Sequence, residues 1–269
     1  MVMLSIPVKS YALELEGDWV QGQMLIGQVT PGSSVSFHKR DVRVDSDGVF
    51  VIGLDRDEPA SVEVIVTSAD GSSERHSFSV QQREYNIQRV EGVPAKTVNP
   101  PAEEIARINR ESALTRAARR KDLPRRDFLS EFQWPVLGPI SGVYGSQRYY
   151  NGEPRRPHYG VDVARPTGTL VVAPAGGIVT MAHGNMFFSG GTMILDHGHG
   201  ISSSFLHLSE ILVEEGQEVE KGEPIAKIGA TGRVTGPHLD WRMNWFTSKI
   251  DPQLLVPPMA EVMRQDQSQ

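Results

Sequence analysis

The sequence predicts a mainly β protein: an N-terminal β-sandwich, a helical linker, then a mostly antiparallel β domain. Three observations carry this. Short runs rich in β-branched residues, several alternating apolar and polar, fill most of the chain. Gly, Pro, Asp and Ser clusters punctuate them as turns. One stretch, AEEIARINRESALTRAARRKD, has the Ala-rich composition of a helix, with Glu first and Arg/Lys last as the helix dipole favours.

The first half supplies YALELEG, GQMLIGQV, SVSFHKRDVRV, VFVIGL, SVEVIVTS and HSFSV, separated by TPGSS, DSDG and SADGSS. Strands at this spacing predict an immunoglobulin-like sandwich over residues 1–94. His38 and His76 fall within it as ordinary surface or half-buried residues. The prolines of EGVPAKTVNPPAEE then read as an extended linker, and residues 95–133 as linker plus helix. Between Arg107 and Arg126 lie eight basic and two acidic residues. Such a run is either a solvated helix face or a patch for an anionic polymer or surface. From Trp134 the strand-like runs resume: GTLVVAP, GGIVTMAH, GGTMILDH, ISSSFLHL, EPIAKIG and HLDWRM. They predict a second β domain over residues 134–258, with 259–269 as a tail.

Composition narrows the function. The chain has 269 residues, 39% apolar and 22% charged, which is globular and long enough for a sizeable core. The absence of Cys excludes disulfides and thiolate metal sites. A net charge of −6 argues against nucleic acid as the main partner. No apolar run reaches the roughly 18–20 residues of a membrane helix. The opening MVMLSIPVKS is too short and interrupted for the apolar core of a signal peptide, so the sequence shows no export signal.

Six of the eight histidines fall in the second domain. HYGVD places His158 and Asp162 on one face of a strand, with Gly160 between them clearing space. HLD places His238 and Asp240 on one face of another. Asp/His clusters without Cys suit zinc in a catalytic site, where three protein ligands leave a position open. His197 reads as structural, and His183 and His199 as exposed. The polar stretch GSQRYYNGEPRRPH reads as a loop at the cleft rim, from which Arg148, Tyr149 or Tyr150 reaches an oxyanion.

Residues 134–245 resemble the LytM/lysostaphin-type zinc endopeptidases, which cut peptide cross-links in bacterial cell walls. WPVLGPISGVYGSQR, HYGVDVARPTGTLVVAPAGGIV, GGTMILDHGHG, SFLHLS and GQEVEKGEPIAKIGATGRVTGPHL carry the resemblance, in the family's order and spacing. It implies that His158 and Asp162 are zinc ligands, that His207 and His238 are catalytic, and that one zinc binds per chain. It also implies peptidoglycan peptides as substrate, other envelope hydrolases as candidate partners, and a cell-envelope or periplasmic location. In the family's H-x-H motif the second His is the third ligand. Here that position is Asp240.

Asp is a competent zinc ligand. A second carboxylate makes the ion less positive, which depresses the pKa of its water less and makes the site more welcoming to manganese or iron. Arg242, on the same strand face, either orients Asp240 from behind or simply pairs with it. Two functions compete: a zinc endopeptidase, and a catalytically impaired relative acting as a wall-binding module or hydrolase activator. A biotinyl or lipoyl carrier is disfavoured, because the glycine rhythm of EGQEVEKGEPIAKIG lacks an MKM-like tripeptide.

Overall fold

The computed structural model describes residues 13–90 and 102–266. It is mainly β. Seven strands build the N-terminal part: β1 (Glu14–Glu16), β2 (Met24–Gln28), β3 (Ser34–Phe37), β4 (Arg40–Val42), β5 (Val49–Gly53), β6 (Ser61–Thr67) and β7 (Ser73–Ser79). They form two sheets, of order β1-β2-β5 and β4-β3-β6-β7. Alternation decides which side faces inward: in β6, Val62 and Val64 are buried while Glu63 is exposed.

SVSFHKRDVRV, expected as one strand, is the β3–β4 hairpin. His38 and Lys39 make its turn with φ of 51° and 60°, the conformation of a two-residue hairpin turn. No Gly or Asn marks that turn in the sequence. His38 also pairs with buried Glu58, with Nε2 2.6 Å from Oε1.

A short third sheet crosses between the halves. Strand β8 (Ile87–Val90) runs parallel to β10 (Gln147–Tyr150), which pairs with β11 (Glu153–Pro154). The polar stretch expected as a plain loop is therefore partly strand, because residues 87–90 satisfy its backbone.

Helix α1 (Ile105–Arg119) follows, and lies on the large C-terminal sheet. Ala118 packs with Met181, Met186 and Ile194. Glu111 holds the helix there, accepting from Arg107 at 2.7 Å and from the Phe187 amide at 2.8 Å.

The large sheet has ten strands: β9 (Ile140–Gly142), β12 (Val161–Ala164), β13 (Leu170–Val172), β14 (Gly177–Met186), β15 (Gly190–Gly198), β16 (Ile201–Ile211), β17 (Glu218–Val219), β18 (Pro224–Ile228), β19 (His238–Trp245) and β20 (Ser248–Ile250). Its main path is β17-β14-β15-β16-β19-β12-β9, with β18 on β16, β13 on β18 and β20 on β19. A short helix α2 (Met259–Asp266) closes the described chain and buries Met259.

One apolar core runs through both halves, from Leu25 and Phe50 to Trp241 and Trp245. Polar contacts reinforce the junction. Arg56 donates to the Gly145 carbonyl at 2.8 Å, and Arg83 pairs with buried Asp251 at 2.8 Å. Arg43 pairs with Asp122 and Arg126 with Asp45 and Asp47.

Candidate metal centre

Strand β19 sorts its side chains by period two. Leu239, Trp241, Met243 and Trp245 are buried in the core on one face. His238, Asp240, Arg242 and Asn244 therefore share the other. Antiparallel pairing sets Asp162 directly opposite Asp240, and Ala164 opposite His238. On the other flank, Leu206, Ser204 and Ser202 of β16 stand opposite Asp240, Arg242 and Asn244.

His158 arrives from outside the strand. β12 begins only at Val161, and His158 sits in the extended segment before it, its amide donating to the Ser146 carbonyl at 2.8 Å. Its Nε2 stands 3.1 Å from Asp162 Oδ1, and neither atom has a hydrogen-bond partner among the described residues. A nitrogen lone pair and a carboxylate oxygen repel at that distance unless a proton or a cation lies between them. An oxygen of Asp240 joins them, and the three ligand atoms lie within 4.8 Å of one another. This donor set fits a divalent cation of zinc, manganese or iron type.

Two glycines make the approach possible. A Cβ on Gly142 would sit 2.2 Å from Asp162 Oδ2. A Cβ on Gly160 would sit 2.5 Å from the Trp241 carbonyl and 2.7 Å from Asp240 Oδ1. Gly160 thus makes room for Asp240 itself, as well as for the space between the carboxylates.

Asp240 is 2% exposed. Arg242 Nε contacts its two oxygens at 2.9 and 3.1 Å, and Nη2 contacts Oδ2 at 2.5 Å. Burial opposes ionisation of this carboxyl, but the adjacent guanidinium outweighs it and holds the group below the usual carboxylate range.

His207 reaches the same cleft by an irregular route. After Leu206, strict alternation would turn it to the core. Instead its φ is 65°, and its ring stands 4.9 Å from that of His238, centroid to centroid. A left-handed backbone at a non-glycine residue costs about 1–2 kcal/mol, and such strain concentrates at functional sites. Each ring points its Nδ1 at a backbone carbonyl: His207 at Thr231 and His238 at Gly236, both at 2.9 Å. A carbonyl only accepts, so Nδ1 carries the proton in both rings and each Nε2 is left as the base. His238 Nε2 lies 3.9 Å from Asp162 Oδ1. Burial, the largest influence, pushes the His207 pKa down and favours neutral imidazole.

The remaining sequence candidates do not join this group. Tyr149 is taken up by Arg89, whose guanidinium lies 4.6 Å over its ring. The side chains of Arg148 and Tyr150 lie outside the described residues. His197 is fully buried, bridging the Gly176 carbonyl at 2.6 Å and Ser203 Oγ at 2.7 Å. His199, expected to be exposed, is 2% exposed and packs on Phe128, because residues 123–128 fold back over the β15–β16 turn. His183, also expected to be exposed, is half-buried.

Two residues that the sequence did not single out share the site's face. Arg119, at the end of α1, donates to Ser204 Oγ from Nη2 at 2.9 Å and from Nε at 3.3 Å. Lys249 of β20 stands opposite Asn244. The basic run of α1 gave no way to tell Arg119 from its neighbours.

Comparison with known proteins gives consistent matches. Residues 156–252 match the model of Peptidase family M23. Peptidoglycan DD-endopeptidase ShyA of Vibrio cholerae is 41% identical over 102 residues, which are 35% of this chain and 24% of that protein. DD-carboxypeptidase/endopeptidase Mpg of Neisseria meningitidis is 33% identical over 133 residues, 49% of this chain and 30% of that protein. The chain thus spans about a fifth to a third of the length of the curated relatives it matches. The crystal structure of a putative peptidase M23 from Pseudomonas aeruginosa superimposes with a TM-score of 0.70 at 29% identity, covering 89% of this chain and 95% of that one.

Proposed function

We propose, starting from the match of residues 156–252 to peptidase family M23, that this protein is a metal-dependent endopeptidase acting on peptide cross-links of bacterial peptidoglycan. The carrying observation is the convergence of His158, Asp162 and Asp240 beside two histidines with free Nε2 atoms. The relatives named as peptidoglycan DD-endopeptidases support the substrate class.

In this reading His158 Nε2, Asp162 Oδ1 and an Asp240 oxygen hold the cation, with zinc the first candidate. Such a cation polarises a carbonyl and makes water more acidic. Arg242 fixes the Asp240 carboxylate and offsets its charge from behind. His207 and His238 handle one proton between them: it is accepted from water at the Nε2 of one ring and delivered, directly or through the other ring, to the departing amine. The neutral form of His207, favoured by burial, is the one able to accept.

We also assign the chain a modular plan: a β-sandwich accessory module over residues 1–94, a linker over 95–133, the peptidase domain over 134–258 and a short tail. A cell-envelope location follows from the proposed substrate.

A second reading has its own support. Arg242 already satisfies both oxygens of Asp240, as an ion pair in a metal-free, non-catalytic wall-binding module or hydrolase activator would.

Digestion of purified peptidoglycan separates the two. Metal-supplemented full chain should convert cross-linked muropeptide dimers to monomers, as read by liquid chromatography and mass spectrometry, and chelation or His207→Ala should stop it. Unchanged dimers from metal-loaded protein would reject the enzyme reading.

A further inference from the structure

On the face of the sheet that carries the candidate centre, two cations stand without a carboxylate of their own. Arg242 is matched by Asp240. Arg119 and Lys249 have no carboxylate partner within ion-pair distance among the described residues, and both are half-buried. Arg119 uses two of its nitrogens on one neutral hydroxyl, Ser204 Oγ. Lys249 Nζ lies 5.8 Å over the Tyr159 ring. Desolvation is the main influence pushing the Lys249 ammonium down to about 8, with repulsion from Arg119 next and Arg242 contributing too, so these cations sense one another. Asp55 also faces Lys249, but spends Oδ2 on the Lys249 amide at 3.0 Å and Oδ1 on the Arg56 amide at 2.7 Å.

A second observation points the same way. Ser202 is 1% exposed and shares the face with Ser204 two residues on, yet its Oγ has no partner among the described residues. Asp196, opposite Ser202 on β15, turns Oδ1 to the Gly198 amide at 2.9 Å. Partly desolvated cations and an unsatisfied hydroxyl on one face are costly unless water or an anion completes them, and an anion offsets the charge as well.

We propose that Arg119 and Lys249, flanked by the Ser202 and Ser204 hydroxyls, form a carboxylate-binding subsite beside the candidate metal centre. It takes a free carboxylate of the peptide substrate. Because Ser204 stands opposite Arg242, and Arg242 grips Asp240, the subsite begins two residue pairs along the strands from the proposed ligand. A carboxylate held there is close enough to fix the register of the peptide across the centre. The substrate identity rests on the endopeptidase reading, whereas the anion preference does not. Arg119 makes α1 part of the binding surface instead of a mere tether.

The test uses the full chain, metal-supplemented and carrying His207→Ala to stop turnover. Isothermal titration compares acetyl-Lys-D-Ala-D-Ala with its C-terminal amide, and acetate and inorganic phosphate serve as free-ion controls. The acid should bind about tenfold or more tighter than the amide, as a charge-assisted contact allows. Arg119→Gln and Lys249→Met should each cut that preference to about threefold or less while leaving amide affinity unchanged, and Arg119→Lys should restore part of it. Equal affinity for acid and amide, absence of binding by either, equal losses for both in the variants, or phosphate and acetate binding as tightly as the peptide would overturn the proposal. So would tighter binding of both peptides in Arg119→Gln, which would make α1 an obstruction. An acid preference in a protein that leaves peptidoglycan uncut would sink the endopeptidase reading and keep the subsite.

Discussion

Arg242 holds Asp240 through both carboxylate oxygens, with Nε and Nη2 lying side by side along the carboxylate. The pair is local, two residues apart on β19, yet it sets the character of the whole site. Asp240 of β19 faces Asp162 of the neighbouring β12, so without Arg242 two carboxylates would share the space beside His158. Arg242 lets Asp240 stay ionised before any cation arrives.

Breaking this pair from one side should therefore be worse than removing both. In chelated protein, Asp240→Ala should lower unfolding free energy by about 1–3 kcal/mol, less than the full cost for a buried pair because Arg242 is 28% exposed. The double variant Asp240→Ala/Arg242→Ala should recover part of that loss. Urea unfolding of the four proteins gives the coupling. Additive effects would mean that the pair contributes nothing to the fold.

Restoring a histidine ligand should not by itself restore a stronger site. Asp240→His leaves Arg242 unpaired against a neutral ring and, with zinc, against a cation. Metal affinity should rise only in Asp240→His combined with Arg242→Gln. Metal-buffered titrations check this, and tighter binding in the single variant would show that Arg242 is indifferent to ligand charge.

The fit at Gly160 should be narrow. Gly160→Ala puts a methyl 2.7 Å from Asp240 Oδ1 and 2.5 Å from the Trp241 carbonyl. Overpacking of this kind costs about 1–3 kcal/mol. Thermal unfolding should show that loss, and metal affinity should fall with it as Asp240 is displaced. An unchanged affinity would place Asp240 outside the ligand set.

His207 and His238 should matter to turnover and not to loading. Either one changed to Ala should reduce kcat by about 10²–10⁴-fold with metal content intact. Loss of metal in the His238 variant would make it a ligand.

The buried pair at the far end of β15 gives a pH signature. Burial, the largest effect, pushes His197 down to about 4, and it pushes Asp196 up to about 6. For His197 the stabilising neutral form is fully present above the unfolded value of about 6.5, and that stability is lost as pH falls toward 4. Asp196 acts with opposite sign: its protonation in the folded state adds stability as pH falls from 6 toward its unfolded value of about 4. The two contributions should therefore nearly cancel across this window, and Asp196→Asn should steepen the profile toward loss in acid relative to wild type. Urea unfolding of both proteins at pH 4 to 7 reads the difference, and parallel profiles would show that Asp196 titrates normally.

Much of the site was legible because it obeys strand alternation. His238, Asp240 and Arg242 fall on one face by count alone, as the i, i+2 spacing predicts. What escaped depends on tertiary context. His207 needs a left-handed residue to reach the cleft, which no pattern announces. The His38–Lys39 turn uses no glycine, so one apparent strand is two. Tyr149 looked free at a loop rim until β8 paired with its strand and Arg89 covered its ring. Arg119 is one of many basic residues on its helix, and only the seating of α1 on β14 and β15 selects it.

The most direct test of Asp240 as a ligand is metal stoichiometry, measured by plasma mass spectrometry on the 269-residue chain purified without a metal-affinity tag and dialysed against zinc-containing and then zinc-free buffer. The wild type should hold close to one divalent ion per chain and a folded Asp240→Ala variant close to none. No retained metal in the wild type, or equal occupancy in the two proteins, would contradict the assignment of Asp240 as the third ligand.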